Sequence, residues 1–178
     1  MTARYPELLP ASHHDDLRGR HSKFFGDVPE LIAVPGYEIK EVFMTTSRRN
    51  VVRGMHFQRP PQPKIIQVVS GEIHCQVVAC DPGDADFGSL STFHLTERGE
   101  RLLVPGTCAL GYRALLDGTR VLYLAGSGFV ANGDTGIDPF DADLALDWGP
   151  EFDLTQAVLS DRDQSLQSFA DYAKSVGR

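Results

Sequence analysis

Residues 50–73 read NVVRGMHFQRPPQPKIIQVVSGEI. Two β-branched runs, 50–57 and 64–69, flank a rigid Pro60-Pro61 bend, and Ser70-Gly71 separates the second from a third run, EIHCQVVAC at 72–80. A glycine free to take positive φ between two such runs predicts a hairpin turn. The same texture extends outward, with YEIKEVFMTT (37–46) before this stretch and STFHLTE (91–97), ERLLVP (100–105), CALGYRALL (108–116) and RVLYLAG (120–126) after it. The breaks Asp81-Pro82-Gly83-Asp84, Glu97-Arg98-Gly99 and Asp117-Gly118 punctuate these runs. Short strands at this spacing predict an all-β sandwich or barrel over residues 37–131.

The flanks read differently. Residues 1–30 are polar and irregular, with His13, His14 and the cluster Arg18, Arg20, His21 and Lys23, and they predict an arm or loop rather than core. Residues 143–178 are acidic and carry the only tryptophan, Trp148. Near their end Leu166, Phe169, Ala170 and Ala173 recur at helical spacing, so a short terminal helix is expected. A chain of 178 residues fits one such domain with an arm, and a second enzyme domain has no room.

Charge and cysteine content narrow the function classes. A formal net charge of -7 argues against nucleic acid or an anionic membrane as partner, because both recruit concentrated Lys and Arg. The three cysteines, Cys75, Cys80 and Cys108, are odd in number and lie in apolar runs, which favours free thiols in a reducing cytoplasm. The N-terminus has no apolar signal core, and no hydrophobic run approaches a bilayer span.

A small β-barrel with scattered histidines raises the question of a metal. Metal-binding cupins place a second His two residues after the first, then a Glu, and a further His after a Pro-x-Gly turn. Here Gln58 stands two residues after His56, and Leu110 stands where the last ligand would fall in VPGTCALGY. One ligand of the set remains, so no metal is expected. His74 and His94 sit in separate runs without ligand partners and read as strand histidines.

The densest polar chemistry is Arg53, His56, Gln58 and Lys64 within the opening stretch. A neutral imidazole can take a proton from carbon, an ammonium can stabilise the enolate oxygen that results, and a guanidinium fork suits phosphate. Read without further context, His56 is more often a hydrogen-bonded strand residue than a base, Lys64 a strand-edge charge, Tyr123 and Phe129 core aromatics, and Asp163 a surface or helix N-cap carboxylate before QSLQSFADYAK.

The run VVRGMHFQRPPQPKIIQVVSGEI resembles the dTDP-4-dehydrorhamnose 3,5-epimerase family, whose hallmark is G-V-x-R-G-L-H-F-Q, then prolines, a lysine and V-x-G-E. The likeness continues through DADFGSLSTFHLT, LLVPGTCALGY, RVLYLAGSGF, DTGIDPFDADLALDW and VLSDRD, from about Arg18 to Asp163. It implies a cupin-type jelly-roll β-barrel that works without cofactor or metal, forms a homodimer and epimerises a dTDP-linked 4-keto-6-deoxy sugar. It implies His56 as base, Asp163 as the carboxylate orienting it, Tyr123 as the acid on the opposite face and Lys64 as enolate stabiliser. Arg53 would contact substrate or diphosphate, Phe129 would stack on the thymine, and Arg18 would reach the nucleotide from the arm, in a neighbouring subunit. Gln58, Ser47 and Lys23 complete the implied substrate-binding set.

Departures from the family pattern point to a remodelled pocket. Leu110 replaces the histidine of A-H-G-F, Cys75 an aspartate, Glu41 and Phe43 a Gln and an Asn, and Lys23 an arm glutamate, while Thr45 and Ser47 approximate an S-x-S run. A single-centre epimerase, or an enzyme for a different keto sugar, is therefore as open as the double epimerase. The competing readings are a non-catalytic sugar-nucleotide-binding cupin and a metal-dependent cupin enzyme.

Overall fold

The computed structural model of the protein describes residues 4–17, 19–23 and 37–178. Each run singled out between residues 37 and 126 is a strand: β4 (Glu41–Ser47), β5 (Val52–Gln58), β6 (Lys64–Ser70), β7 (Glu72–Ala79), β8 (Leu90–Thr96), β9 (Arg101–Val104), β10 (Cys108–Ala114) and β11 (Thr119–Ala125). With β1 (Glu7–Leu9) and β12 (Asp134–Gly136) they form two five-stranded sheets, ordered β1-β9-β6-β11-β4 and β12-β5-β10-β7-β8. The fold is all-β as expected, with a jelly-roll character, although the two sheets face each other without closing into one continuous barrel.

Ser70-Gly71 is not the hairpin turn that its sequence predicts. β6 and β7 belong to different sheets, so this dipeptide carries the chain across from one sheet to the other. The glycine is still required: its φ is +85° and a Cβ would lie 2.4 Å from the Thr119 hydroxyl. The breaks at Glu97-Arg98-Gly99 and Asp117-Gly118 are crossings too, whereas the Asp81–Asp84 break joins β7 and β8, which do pair. A turn signal reports that the chain bends and says nothing about which strand becomes its partner.

The N-terminal region is also more structured than its composition predicts. β1 pairs with β9 and buries Leu9 against Ile65, Leu103 and Leu124 on the outer face of the first sheet, while β2 (Ser12–Asp16) and β3 (Gly19–Lys23) form a separate hairpin. The main core lies between the sheets, where Ile66, Val68, Val77, Leu95, Leu102 and Val121 pack together with the buried Cys75. The outer face of the second sheet is covered by the C-terminal segment: Trp148 and Tyr172 pack on Val52, Met55, Phe57, Val78 and Ala109. Burial on both faces explains why β10 reads as continuous apolar sequence rather than as an alternating strand. The terminal helix α1 spans Phe169–Ser175 and is capped by Ser168, whose hydroxyl accepts from the Asp171 N–H at 3.0 Å; Leu166 precedes it. Among the described residues no helix is long and apolar enough to cross a membrane.

One irregularity in β5 shapes the space between the sheets. His56 pairs with Leu110 and Arg53 with Tyr112, so three steps of β5 match two of β10, which is a one-residue bulge. In a regular strand, residues three apart point to opposite faces; the bulge turns both Arg53 and His56 into the space between the sheets. Gly54 makes this possible, with φ +130° and a position at which a Cβ would stand 2.5 Å from the Gly111 Cα. Gly54→Ala is expected to cost about 2 to 5 kcal/mol, from backbone strain and overpacking together, read as a shift in the midpoint of chemical denaturation. An unshifted midpoint would show that the close approach is not a constraint.

Candidate active site

Between the sheets lies a cavity of ≈ 290 Å³. From the second sheet, β5 contributes Arg53 and His56, and β10 contributes Leu110 and Tyr112. From the first sheet, β6 contributes Lys64, β11 Tyr123, and β4 Glu41, Phe43 and Thr45. Phe129, Asp134, Gln62 and Arg162 complete the lining.

The His56 Nε2 lies 2.6 Å from Asp163 Oδ1. Asp163 is 4% exposed and arrives on the C-terminal segment, which docks beside β5 through the Val52 N–H bonded to the Val158 carbonyl at 3.0 Å. Burial tends to raise the Asp163 pKa, but the hydrogen bond and charge of His56, the Gly54 N–H and the Arg162 guanidinium outweigh it and leave the carboxyl below its ordinary value. An ionised carboxylate can only accept, so Nε2 carries the proton and the lone pair resides on Nδ1.

On the facing wall Tyr123 is 8% exposed, its ring stacked on Phe43 at 4.6 Å and 9°. Burial, then the neighbouring Tyr112 phenol and Cys75 thiol, push its pKa well above the ordinary value, against a smaller opposing effect of Arg53. The phenol is therefore protonated at neutral pH. For Lys64, burial lowers the pKa, Asp134 and Glu41 work in the opposite direction, and Arg162 adds to the lowering. Asp134 is itself paired with Arg162 at 2.8 Å.

Arg53 is held from behind. Its Nε donates to the Ser47 hydroxyl at 3.1 Å and a terminal nitrogen to the Thr46 carbonyl at 3.3 Å, while the Tyr112 hydroxyl bonds Thr45 at 2.8 Å and Ser47 at 3.2 Å. Ser47 thus supports Arg53 and is not part of the cavity lining. Gln58 is likewise off the lining: it is buried, donates to the Gly128 carbonyl at 3.3 Å and accepts from the Val130 N–H at 2.8 Å. These bonds bracket the loop that carries Phe129, 60% exposed at the cavity. Lys23 lies exposed at the end of the β2–β3 hairpin, away from the lining, and Arg18 falls outside the described residues.

Leu110 sits directly across from His56, giving the imidazole an apolar neighbour. Cys75 lies in the inter-sheet core. The sequence pattern did not single out Asp134, Arg162, Gln62 or Tyr112. Arg162 adjoins Asp163 in LSDRD and Asp134 pairs in register with Gln58, but neither placement leaves a periodic or spacing signal. Among the described residues no group of three or more His, Cys, Asp or Glu gathers in an arrangement able to hold a metal ion.

A basic imidazole on one wall and a protonated phenol on the other can exchange protons with opposite faces of a molecule lying between them. A lysine and an arginine beside them can steady negative charge.

Known proteins resemble this chain over most of its length. The chain is 32% identical over 169 residues to the dTDP-4-dehydrorhamnose 3,5-epimerase of Mycobacterium tuberculosis, covering 93% of this chain and 83% of that one. It is 27% identical over 161 residues to the dTDP-4-dehydro-6-deoxyglucose 3-epimerase of Streptomyces bikiniensis, covering 88% and 81%. The solved structure of a Mycobacterium tuberculosis epimerase superposes with a TM-score of 0.84 at 29% identity, over 98% of this chain and 89% of the other. With the family pattern running from residue 7 to residue 171, the chain belongs to the dTDP-4-dehydrorhamnose 3,5-epimerase family.

Proposed function

We propose that this protein is an isomerase that epimerises a dTDP-linked 4-keto-6-deoxy sugar. The observation that carries the reading is the placement of His56 and Tyr123 on facing sheets of one cavity. His56 takes the proton from a carbon next to the ketone, and the C–H electron pair moves into the carbonyl to give an enolate. The enolate oxygen is stabilised by the Lys64 ammonium. Tyr123 then returns a proton to the other face of the same carbon, and the imidazolium and phenolate re-equilibrate with solvent. Asp163 fixes the tautomer and orientation of His56, and its charge favours the imidazolium that forms.

Arg53, pre-aimed by Ser47, is suited to the diphosphate, and Phe129 to stacking on the thymine. Gln58 acts through the Phe129 loop. A homodimer in which the arm, with Arg18 and Lys23, reaches a neighbouring subunit accords with the family, and the buried thiols fit a reducing cytoplasm.

The test is incubation with dTDP-4-keto-6-deoxyglucose in deuterated water, with deuterium at C3 and C5 followed by NMR. Uptake at one or both carbons is expected, and the labelled positions distinguish a single from a double epimerase; the relatives include enzymes named for each. A second reading, binding of the sugar nucleotide without turnover, is favoured by the apolar Leu110 facing His56. No deuterium uptake at either carbon, with the sugar nucleotide bound, would favour it.

A further inference from the structure

Tyr112 is 1% exposed on β10, at the wall of the cavity, and its hydroxyl is the junction of a chain of hydroxyls. It bonds the Thr45 hydroxyl at 2.8 Å and the Ser47 hydroxyl at 3.2 Å, and the Tyr123 phenol meets it from the first sheet. Ser47 accepts from the Arg53 Nε at 3.1 Å, which leaves its own proton to give. Thr45 is half-buried and opens on the cavity. Each hydroxyl both donates and accepts, so such a chain can pass a proton along by exchanging donors and acceptors in turn. The Tyr112 hydroxyl departs from the family pattern, since the residue closes ALGY where the pattern has A-H-G-F.

The burial of Tyr123 creates the need for such a chain. Once the phenol has given its proton to carbon, a phenolate remains at a side chain that is 8% exposed and covered on one face by Phe43, where an uncompensated charge is costly. Cys75, the other group beside that phenol, lies in the closed core. Resting on the epimerase reading above, we infer that Tyr112 recharges Tyr123 between turnovers. The Tyr123 phenolate takes the Tyr112 proton, the Tyr112 oxygen takes the Thr45 proton, and the Thr45 oxygen takes one from water in the cavity. His56 returns to solvent the proton that it removed from the substrate, so the cycle closes without net change. Tyr112 is thus a positioning and relay residue that acts through Tyr123.

The experiment follows inversion of dTDP-4-keto-6-deoxyglucose by rapid quench, at enzyme concentrations that resolve the first turnover, for wild type, Tyr112→Phe and Thr45→Val. Tyr123 starts each experiment protonated, so the first inversion needs no relay. Tyr112→Phe is expected to give a burst approaching one inverted product per site at the wild-type rate. Later turnovers are expected to slow about 10- to 100-fold, the worth of one hydrogen bond to a charged group. Thr45→Val removes the outer link of the chain and is expected to show the same burst, which decides the matter if Tyr112→Phe does not fold. First and later turnovers slowed equally would reduce Tyr112 to packing and overturn the relay. Wild-type rates throughout would overturn it as well. A wild-type protein that neither exchanges deuterium nor inverts its substrate overturns the epimerase reading, and the relay with it.

Discussion

His56→Gln is expected to lower kcat/KM by about 10²- to 10⁴-fold, the range over which a positioned general base accelerates proton transfer, and to suppress wash-in of solvent deuterium equally. Glutamine suits the test because its amide nitrogen takes the place of Nε2 and can still donate to Asp163, which is 4% exposed and would otherwise be a buried charge without its partner. What it lacks is a lone pair of suitable basicity in the place of Nδ1. Thermal unfolding close to that of wild type, together with lost exchange, would assign the defect to chemistry. Exchange at the wild-type rate would transfer the role of base to another group in the cavity.

The position of that imidazole shows how far the sequence could be read. Every strand from β4 to β11 was legible, because β-branched runs bounded by turn residues leave few other conformations open. Their partners were not. Ser70-Gly71 looks like a hairpin and is a crossing, since pairing is decided by the opposite sheet and leaves no mark on the dipeptide itself. The parity of β5 was hidden in the same way. On simple alternation Arg53 and His56 would part to opposite faces, and only the bulge at Gly54 and Met55, where two glycines let β5 and β10 approach closely, brings them together. β1 escaped notice because a three-residue strand with one buried leucine has too short a pattern to detect.

The site was legible in proportion to how local it is. Arg53, His56 and Lys64 lie close together in sequence, and all three line the cavity. Asp163 is 107 residues from its histidine, so it could be named only by likeness to a family. Gln58 and Ser47 show the opposite limit: residue type marks them as polar and useful, but their partners are the Phe129 loop and the Arg53 guanidinium, one layer behind the cavity. The same layering gives the departures their meaning. Leu110 lines the cavity beside His56, whereas Cys75 lies in the inter-sheet core off the lining, so of the two it is Leu110 that alters the cavity surface.

Tyr123→Phe separates the two halves of the proposed reaction. Phenylalanine keeps the ring stacked on Phe43 and keeps the site buried, and Tyr112 retains its bonds to Thr45 and Ser47, so the packing is preserved while the phenol hydroxyl, with its contact to Tyr112, is lost. The base remains, so a substrate carbon can still ionise and recapture a proton from the side on which it was lost. Deuterium should therefore continue to enter the sugar with retained configuration, while formation of the inverted product falls by about 10²- to 10⁴-fold. NMR of the product sugar in deuterated water follows both quantities in one sample. Exchange and inversion declining in parallel would mean that Tyr123 is needed for ionisation as well, as expected of a group bonded to the enolate oxygen. Inversion at the wild-type rate would mean that water or another acid protonates the second face.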